Sequence, residues 1–463
     1  MLTRAPVTHE GRPYQSFWSQ LSQRLALLSP ARLLVAGYLT LIAVGTAALS
    51  LPAAVSAPPR LSFSEALFTA TSAVCVTGLT VVDTGTRLSR FGQVVVLVLI
   101  QTGGLGIMTM STVFAVLLGR RITLRNRLLI QEELRQDYLS GLVRLARMVA
   151  GVTFTFEAVG AVLLFIAWAD RLPLGEAVYY AVFHSISAFN NAGFDLWGSS
   201  LTGFVDRPLV LVTVMALFMT GGIGFAVLAD VLSWHRGHRF QLHTRVALAM
   251  AGLLVLIAWP LLTALEWSNP STLGGLPVWN RFVAGLFTAV TPRTAGFSVV
   301  PTGDLHPASL LVILVLMFIG VSPGSTGGGI KTTTAAVIGA TVVAALRGQE
   351  DLILFERRLP RGTVQRAVAL AVLAGMWVIV ASAVVVALEP FDPLASVFEV
   401  VSAFGTVGLS RGITPELSLP TRFLLVATML LGKVGPVTLA AALARRSQAA
   451  AHWRFPEERI NLG

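Results

Sequence analysis

The sequence has little charge and almost no cysteine. Only 12% of its 463 residues are charged, whereas 54% are hydrophobic and the mean hydropathy is +0.75. Because an average soluble domain has about 25% charged residues, this composition argues against an ordinary soluble enzyme and against a disordered chain. The single cysteine, Cys75, excludes an intrachain disulfide framework and a cysteine-rich metal site.

Lysine is equally scarce, since 32 of the 34 basic residues are arginine. The net charge of +11 lies in short blocks between apolar runs and not in a compact basic domain, so we expect no nucleic-acid partner. Paired carboxylates, a Ser-His-Asp order and an HExxH motif are also lacking. The sequence therefore gives no indication of catalysis.

Long apolar runs are what the chain has instead. A helix needs about 20 mainly apolar residues to cross a bilayer. The N-terminus lacks the short apolar core of a cleavable signal, so we expect the first run to be a retained span. Eight runs are candidate spans: 33–51, 92–118, 148–168, 208–230, 246–265, 306–346, 365–388 and 421–444.

A half-length apolar segment lies after the first, third, fifth and seventh spans, and each is followed by a glycine-bearing stretch. When Gly78, Gly193, Gly296 and Gly408 are aligned, a phenylalanine precedes each glycine by 9 or 10 positions. A second glycine feature follows 24 to 29 residues after each. The sequence is therefore a fourfold internal repeat of span, short helix, loop and span.

The repeat predicts an all-α polytopic membrane protein with four pseudo-symmetric units of span, pore helix, filter loop and span around one central pore. The short helices have start signals, such as the capping box of Ser62 and Glu65. The predicted units are an N-terminal segment (1–32), repeat 1 (33–118), repeat 2 with a preceding linker (119–233), repeat 3 with a broken second span (234–346), repeat 4 (347–446) and a tail (447–463).

The basic residues predict an orientation. The loops on the N-terminal side contain 23 arginines, and the opposite loops contain nine. With the acidic residues included, these two sides carry net charges of +14 and −3. Because Lys and Arg accumulate on the cytoplasmic side of membrane proteins, we expect both termini and the linker to be cytoplasmic.

Four loops around one axis can form a cation site. Each short helix directs the partial negative charge of its C-terminus toward its loop, and glycine permits a backbone whose carbonyl oxygens replace an ion's hydration shell. The alternative is that these glycines only permit close helix packing. Packing alone would not require a glycine at the same position of all four repeats. Hard neutral oxygens favour an alkali ion over a transition metal. The candidate donors are the carbonyl groups of Val76, Thr77, Gly78, Asn191, Ala192, Gly193, Thr294, Ala295, Gly296, Thr406, Val407 and Gly408.

The sixth span contains a run of glycine, serine and proline at 320–334, which we expect to form a loop inside the membrane. A phosphate-binding loop is a poor match, because Ile330 adds one residue before Lys331 and no soluble strand precedes it. Lys331 and Lys433 both lie within apolar spans, where a charge is expensive and usually functional or paired. Glu157 and Asp230 are candidate partners.

Four stretches of the sequence resemble the filter loops of the Trk/Ktr/HKT potassium transporter superfamily, and the resemblance covers nearly the whole chain. Within that superfamily the chain is most similar to the KtrB branch, because it lacks an extra pair of spans before repeat 1 and ends in RFPEERINLG. The stretches are FTATSAVCVTGLTVVDT (68–84), HSISAFNNAGFDL (184–196), FTAVTPRTAGFS (287–298) and VSAFGTVGLS (401–410).

The resemblance implies that glycine at all four filter positions favours potassium, with Na⁺ as a candidate coupling or activating ion. It also implies that the glycine-rich loop below the filter is a gate. The family typically has arginine where Lys433 stands, so the compact ammonium group of lysine replaces a planar guanidinium group here. The implied gate residues are Gly324, Ser325, Thr326, Gly327, Gly328, Gly329, Lys331 and Lys433.

The same resemblance implies a homodimer in a bacterial inner membrane, seated on a separate cytosolic ring of nucleotide-binding regulatory subunits of the KtrA/TrkA type. This chain has no GxGxxG fingerprint after a strand, so we expect it to bind no nucleotide itself. Two alternatives to a potassium pore remain: a secondary carrier of another small cation or solute, and a membrane enzyme. The repeats favour the pore because they are parallel and not inverted.

Overall fold

The computed structural model describes residues 30–106, 142–234, 239–349, 351–436 and 438. Of the predicted units, residues 1–29, the linker at 119–141 and the tail at 447–463 lie outside the described residues, as do residues 107–118 of the second predicted span and most of the last predicted span beyond residue 436.

The described residues form 14 α-helices, four short 3-10 helices and a two-stranded hairpin, β1 (Ile353–Leu354) and β2 (Arg357–Arg358), at the start of repeat 4. The helices are α1 (Pro30–Leu49), α2 (Phe63–Cys75) and α3 (Arg90–Leu105) in repeat 1; α4 (Leu142–Trp168), α5 (Leu174–Phe189), α6 (Pro208–Ile223) and α7 (Phe225–Ser233) in repeat 2; α8 (Leu242–Glu266), α9 (Val278–Val290), α10 (Pro307–Phe318) and α11 (Thr332–Leu346) in repeat 3; and α12 (Arg361–Leu388), α13 (Pro393–Gly405) and α14 (Leu419–Val434) in repeat 4.

Two of the four pore helices, α2 and α13, begin at side-chain caps, whereas α5 and α9 begin after a proline without such a cap. Before α2, the N–H of Ser62 donates to the Glu65 carboxylate at 2.7 Å, and the Ser62 hydroxyl accepts the N–H of Glu65 at 3.3 Å. This is the predicted capping box. Before α13, the Asp392 carboxylate accepts the N–H of Ala395 at 3.3 Å.

The first helix of every repeat is a full membrane span. Among the described residues, α1, α4, α8 and α12 are each long and apolar enough to cross a bilayer. A fifth span results if α6 and α7 are counted together, although they meet at an angle of 99°.

The second span is broken in repeats 2 and 3, whereas the sequence predicted a break only in the sixth span. In repeats 1 and 4 the described part of the second span ends at a glycine. Helices α3, α6 and α14 end at Gly106, Gly224 and Gly435, whose φ angles are +86°, +98° and +92°. A residue with this backbone conformation cannot continue a right-handed helix, and glycine adopts it without steric cost. In repeat 3 the break is longer, from the end of α10 to the start of α11.

The four repeats close into a ring. Each second-span helix packs against the pore helix of the next repeat: α3 against α5, α6 against α9, α10 against α13, and α14 against α2. The last pair joins repeat 4 to repeat 1. The structure therefore confirms the predicted all-helical fold of four pseudo-symmetric repeats around one axis.

The second glycine feature of the repeat has a packing role. A methyl group on Gly103 would lie 1.9 Å from the carbonyl oxygen of Val74 in the pore helix of the same repeat. The equivalent contacts, Gly221 with Phe189 and Gly432 with Phe404, have the same value of 1.9 Å. Glycine therefore allows the second-span helices of repeats 1, 2 and 4 to approach the ends of their pore helices, as small residues do in membranes. In repeat 3, Gly320 lies instead against the Gly328 carbonyl.

Candidate functional site

Four glycine loops lie at the ends of the pore helices, and we define them as residues 76–78, 191–193, 294–296 and 406–408. Their backbones share one pattern: the first and third residues have positive φ and the middle residue does not. A non-glycine residue rarely has positive φ, and bulky or β-branched residues rarely do so without a compensating environment. The positive-φ residues are Val76 and Gly78 in loop 1, Asn191 and Gly193 in loop 2, Thr294 and Gly296 in loop 3, and Thr406 and Gly408 in loop 4.

The four glycines form a closed ring. A methyl group on Gly78 would lie 2.4 Å from the carbonyl oxygen of Ala192, in loop 2. A methyl group added to Gly193 would lie 3.0 Å from the Ala295 oxygen. One added to Gly296 would lie 2.4 Å from the Val407 oxygen, and one added to Gly408 would lie 2.2 Å from the Thr77 oxygen. The carbonyl group before each glycine therefore lies against the glycine of the preceding repeat, and the ring has no space for a side chain.

Serine and threonine side chains hold the loops to their pore helices. The N–H groups of Thr77 and Gly78 donate to the Ser72 carbonyl and hydroxyl at 2.8 and 3.1 Å. In loop 4, Val407 and Gly408 donate to Ser402 in the same way, at 2.9 and 3.1 Å. In loop 2, the Ser187 hydroxyl donates to the Phe194 carbonyl at 2.7 Å. The sequence analysis missed these residues, although a serine six positions before the glycine recurs in three loops.

The distance along the chain from the pore helix to loop 3 differs by one residue from that in the other repeats. The N–H of Ala295 donates to the carbonyl of Thr291, four residues earlier, at 3.0 Å. In the other loops the corresponding bond spans five residues, as from Ala192 to Ser187 at 2.8 Å. This difference explains why Phe287 precedes its glycine by 9 positions and not by 10.

The glycine-rich segment, residues 320–331, folds into a loop whose two ends are held together. The N–H of Ile330 donates to the Phe318 carbonyl at 3.3 Å, and the N–H of Thr332 donates to the Val321 carbonyl at 3.2 Å. Between these ends the Gly324 carbonyl accepts the N–H of Phe225, at the start of α7, at 2.9 Å. The predicted break in the sixth span is therefore a compact loop and not an open hinge.

The glycine-rich segment lies directly against the glycine loops. The Thr326 hydroxyl donates to the Asn191 side-chain oxygen at 2.9 Å, and the N–H of Gly328 donates to the Thr406 hydroxyl at 2.8 Å. A methyl group on Gly327 would lie 2.1 Å from the hydroxyl of Thr294. The segment thus contacts the first residue of loops 2, 3 and 4.

Both lysines contact carbonyl groups of this segment. The Lys331 ammonium donates to the Gly327 carbonyl at 2.7 Å and to the Gly328 carbonyl at 3.4 Å. The Lys433 ammonium donates to the Thr326 carbonyl. Ser325 donates from its hydroxyl to the Ser322 carbonyl at 2.5 Å. Lys331, Lys433 and Ser325 also line a cavity of about 50 Å³ that extends to the end of α3.

The two candidate acidic partners are bonded elsewhere. Glu157 in α4 accepts hydrogen bonds from Gln101 at 3.2 Å and from Asn190 at 3.0 Å, and so joins repeats 1 and 2 beside loop 2. Asp230 accepts the N–H of Gln241 at 2.9 Å.

Two aspartates follow the glycines of loops 1 and 2, and each is held by its own segment. Asp83 accepts the N–H of Thr86 at 2.6 Å, while Asp195 accepts the N–H groups of Trp197 and Gly198 at 2.8 and 2.7 Å. Burial raises the pKa of Asp195, the nearby Asp83 raises it further, and the hydrogen bonds from Gly198 and Trp197 partly oppose the rise.

Comparison with known proteins identifies relatives over almost the entire chain. Residues 34–453 match the TrkH family, described as cation transport protein. The chain is 40% identical to Ktr system potassium uptake protein B of Bacillus subtilis over 94% of this chain and 97% of that protein. It is 38% identical to the protein of that name from Vibrio alginolyticus, over 93% of this chain and 94% of the relative.

Two further similarities are informative. Potassium/sodium uptake protein NtpJ of Enterococcus hirae is 35% identical over 94% of this chain and 98% of its own length. The crystal structure of the potassium transporter TrkH from Vibrio parahaemolyticus superposes with a TM-score of 0.72 at 19% identity, covering 90% of this chain and 86% of the other. At that identity the structural likeness is evidence for the fold alone.

Proposed function

Because the chain belongs to the TrkH family of cation transport proteins, we propose that it is the ion-translocating subunit of a Ktr-type potassium uptake system. The observation that carries this proposal is the closed ring of Gly78, Gly193, Gly296 and Gly408 at the ends of four pore helices. The names of the relatives, which are potassium uptake proteins, support it.

In this proposal the ion is dehydrated by backbone carbonyl oxygens of the four glycine loops. The ring admits no side chain, so the oxygens nearest the axis belong to the backbone. Four pore-helix C-termini add partial negative charge without a carboxylate. Such a site suits a monovalent cation with a weakly held hydration shell, and we propose K⁺.

We propose that the glycine-rich segment is the gate of this path. Its contacts with Asn191, Thr294 and Thr406 place it against three of the four loops. The segment has few side chains to rearrange, and Lys331 and Lys433 hold its carbonyl groups. Opening would require these hydrogen bonds to be exchanged for others.

Sodium is the second ion to consider, because one relative is named a potassium/sodium uptake protein. We propose Na⁺ as a coupling or activating ion and not as the preferred cargo, since all four ring positions are glycine. A carrier of another small cation is the alternative function.

We further propose a homodimer in the bacterial inner membrane, with both termini cytoplasmic, docked on a separate cytosolic ring that binds the regulatory nucleotide. The relatives are named as components of a Ktr system, which supports a second subunit. The +14 charge of the predicted inner side supports the orientation.

The experiment that tests the function is growth rescue. A bacterium deficient in potassium uptake, supplied with this chain and a regulatory subunit from a similar system, is expected to grow at limiting potassium. Verified membrane expression without rescue would contradict the proposal. Ion uptake by the same cells, measured with K⁺ and Na⁺ separately, distinguishes a potassium pore from a carrier of another cation.

The ring is tested by Gly78→Ser. At φ +88°, with the Ala192 oxygen 2.4 Å from the new Cβ, the substitution must displace the loop, and we expect the preference for K⁺ over Na⁺ to fall at least tenfold. Gly175→Ala is the matched control, because that pore-helix glycine has no neighbour within 4 Å. An unchanged preference in Gly78→Ser would refute the assignment of the ring.

A further inference from the structure

A carboxylate is buried in the last pore helix, behind the fourth glycine loop. Glu399 lies in α13, nine residues before Gly408, and its exposure is 0%. Isolated carboxylates are very costly in apolar surroundings. This one is therefore expected to be retained for the groups that it binds.

Among the described residues, the Glu399 carboxylate accepts three hydrogen bonds, all from the segment that follows Gly408. The hydroxyls of Ser410 and Thr414 donate to the carboxylate at 2.5 and 2.8 Å, and the N–H of Arg411 donates at 3.2 Å. Three donors on three neighbouring residues of this segment therefore meet one side chain. Glu399 thus joins the outer side of loop 4 to the middle of its pore helix.

A second anchor holds the same segment near the start of α13. The Arg411 guanidinium forms an ion pair of 2.7 Å with Asp392, the N-cap residue of that helix. The guanidinium is bonded to Asp392, while the backbone N–H of the same residue is bonded to Glu399. The chain immediately beyond Gly408 is therefore fixed at two points along one helix.

The equivalent position in repeat 2 has a comparable contact. His184 precedes Gly193 by nine residues, has 0% exposure, and accepts the N–H of Leu196 on Nε2 at 3.3 Å. Its Nδ1 contacts the Tyr180 carbonyl at 2.7 Å, which fixes Nδ1 as the donor. Repeats 2 and 4 lie opposite each other in the ring, and in both a buried ionisable side chain holds the segment after the glycine.

Repeats 1 and 3 lack such a group at this position. Thr69 precedes Gly78 by nine residues, and Thr288 occupies the corresponding place in repeat 3. The Thr288 hydroxyl donates to the Ala284 carbonyl of its own helix at 2.8 Å. A buried ionisable anchor at this position therefore occurs in two of the four repeats, although the ring of glycines is fourfold.

We propose that Glu399 is a positioning residue that fixes the outer side of loop 4 and thereby sets the preference of the ring for K⁺ over Na⁺. The proposal rests on the proposed function. Its physical basis is the close packing at Gly408, where even a methyl group would lie 2.2 Å from the Thr77 oxygen. A small shift of residues 409–411 must consequently move the backbone of loop 4 against loop 1.

The test compares Glu399→Gln and Glu399→Ala with Glu389→Gln. Glu389 is a matched control because it is also a poorly exposed carboxylate of repeat 4, but it binds the N–H and hydroxyl of Ser418 at 3.0 and 2.6 Å, at the start of α14. Rubidium or potassium uptake is measured against increasing Na⁺, and the amount of each variant in the membrane is quantified.

We expect Glu399→Ala to reduce the preference for K⁺ over Na⁺ about tenfold, because the buried donors of Ser410, Thr414 and Arg411 lose their acceptor. Glu399→Gln retains one acceptor oxygen and is expected to lose less, and Glu389→Gln is expected to match the wild type. The change should appear in the apparent KM for K⁺ and in Na⁺ competition, and not only in the maximal rate.

A second comparison applies if Glu399→Ala does not reach the membrane. The double variant Ser410→Ala/Thr414→Val removes the two hydroxyl donors and leaves the carboxylate in place. Adding Glu399→Gln to it should have little further effect on selectivity, since the groups act through one contact. Full additivity would overturn the proposal.

The outcomes separate this proposal from the proposed function. If Gly408→Ser reduces the preference for K⁺ and both Glu399 variants retain it at normal expression, Glu399 has no positioning role and the ring assignment stands. If Gly408→Ser also retains the preference, the proposed function itself is wrong.

Discussion

At the scale of single residues, the ring depends on hydroxyl groups that the glycine pattern does not reveal. Ser402 accepts the N–H of Gly408 on its hydroxyl, and Ser72 does the same for Gly78. An amide that loses its partner in a buried site costs about 1–3 kcal/mol. These serines therefore stabilise the positive-φ backbone that the glycines permit.

This argument predicts that Ser402→Ala lowers the preference for K⁺ over Na⁺ by about threefold to tenfold, because the Gly408 N–H loses its acceptor. Competitive uptake of rubidium and sodium measures the effect. Ser396→Ala is the matched control, since Ser396 is buried in the same helix and its hydroxyl makes no hydrogen bond within the described part of the chain.

The expected contrast between the two serines is specific. Ser402→Thr keeps a hydroxyl at the same place and should restore part of the preference. Equal losses for Ser402→Ala and Ser396→Ala would indicate general destabilisation of α13 and would contradict a role in the ring.

At the scale of elements, the glycine-rich segment behaves as one unit. Its ends are held together beside Phe318 and Thr332, and its centre is bonded to Asn191 and Thr406. In the proposed gate, the contacts at the centre of the segment and those of the two lysines would have to break for the path to open, while the contacts at its ends could remain.

Deletion of residues 327–329 is consequently predicted to raise potassium flux. The deletion removes the Gly328 N–H that donates to Thr406 and the carbonyl groups that accept from Lys331. Initial uptake rates without the regulatory subunit, normalised to membrane protein, measure the change. Gly339→Ala, in α11 where no neighbour lies within 4 Å, is the control for the adjacent helix.

A lower flux at equal expression would show that the segment supports the conduction path and does not block it. A milder variant, Thr326→Val, removes the hydroxyl that donates to Asn191. It should shift flux in the same direction as the deletion, and by less.

Local patterns predicted the elements well but could not predict the contacts between them. The capping box of Ser62 and Glu65 and the loops after the pore helices follow from neighbouring residues. The network of Gln101, Glu157 and Asn190 joins side chains up to 89 residues apart. Such a contact exists only once the repeats are assembled, so periodicity and composition carry no signal for it.

The bend in the second span of repeat 2 also depends on a contact with another part of the chain, which local sequence patterns do not predict. Apolar composition predicts a continuous helix at 208–230, yet α6 and α7 meet at 99° about Gly224. A single glycine in an apolar run lowers helix stability by about 1 kcal/mol relative to alanine. Packing of the Gly324 carbonyl onto the N–H of Phe225 selects the bend.

At the scale of the whole molecule, orientation is the property on which uptake depends. The sequence assigns 23 of the 34 basic residues to the side on which the four first spans are predicted to begin. The lone cysteine, Cys75, has 0% exposure and lies at the end of α2. These facts allow the orientation to be measured with introduced cysteines.

In a Cys75→Ala background, Ser199→Cys is predicted to react with a membrane-impermeant maleimide in intact cells, and Gln349→Cys only after permeabilisation. Ser199 is exposed in the connection between α5 and α6, and Gln349 is exposed in the connection between α11 and α12. The background alone, with no thiol, measures non-specific labelling. Labelling of Gln349→Cys in intact cells would contradict the proposed orientation, because the side with most basic residues would then face the outside of the cell.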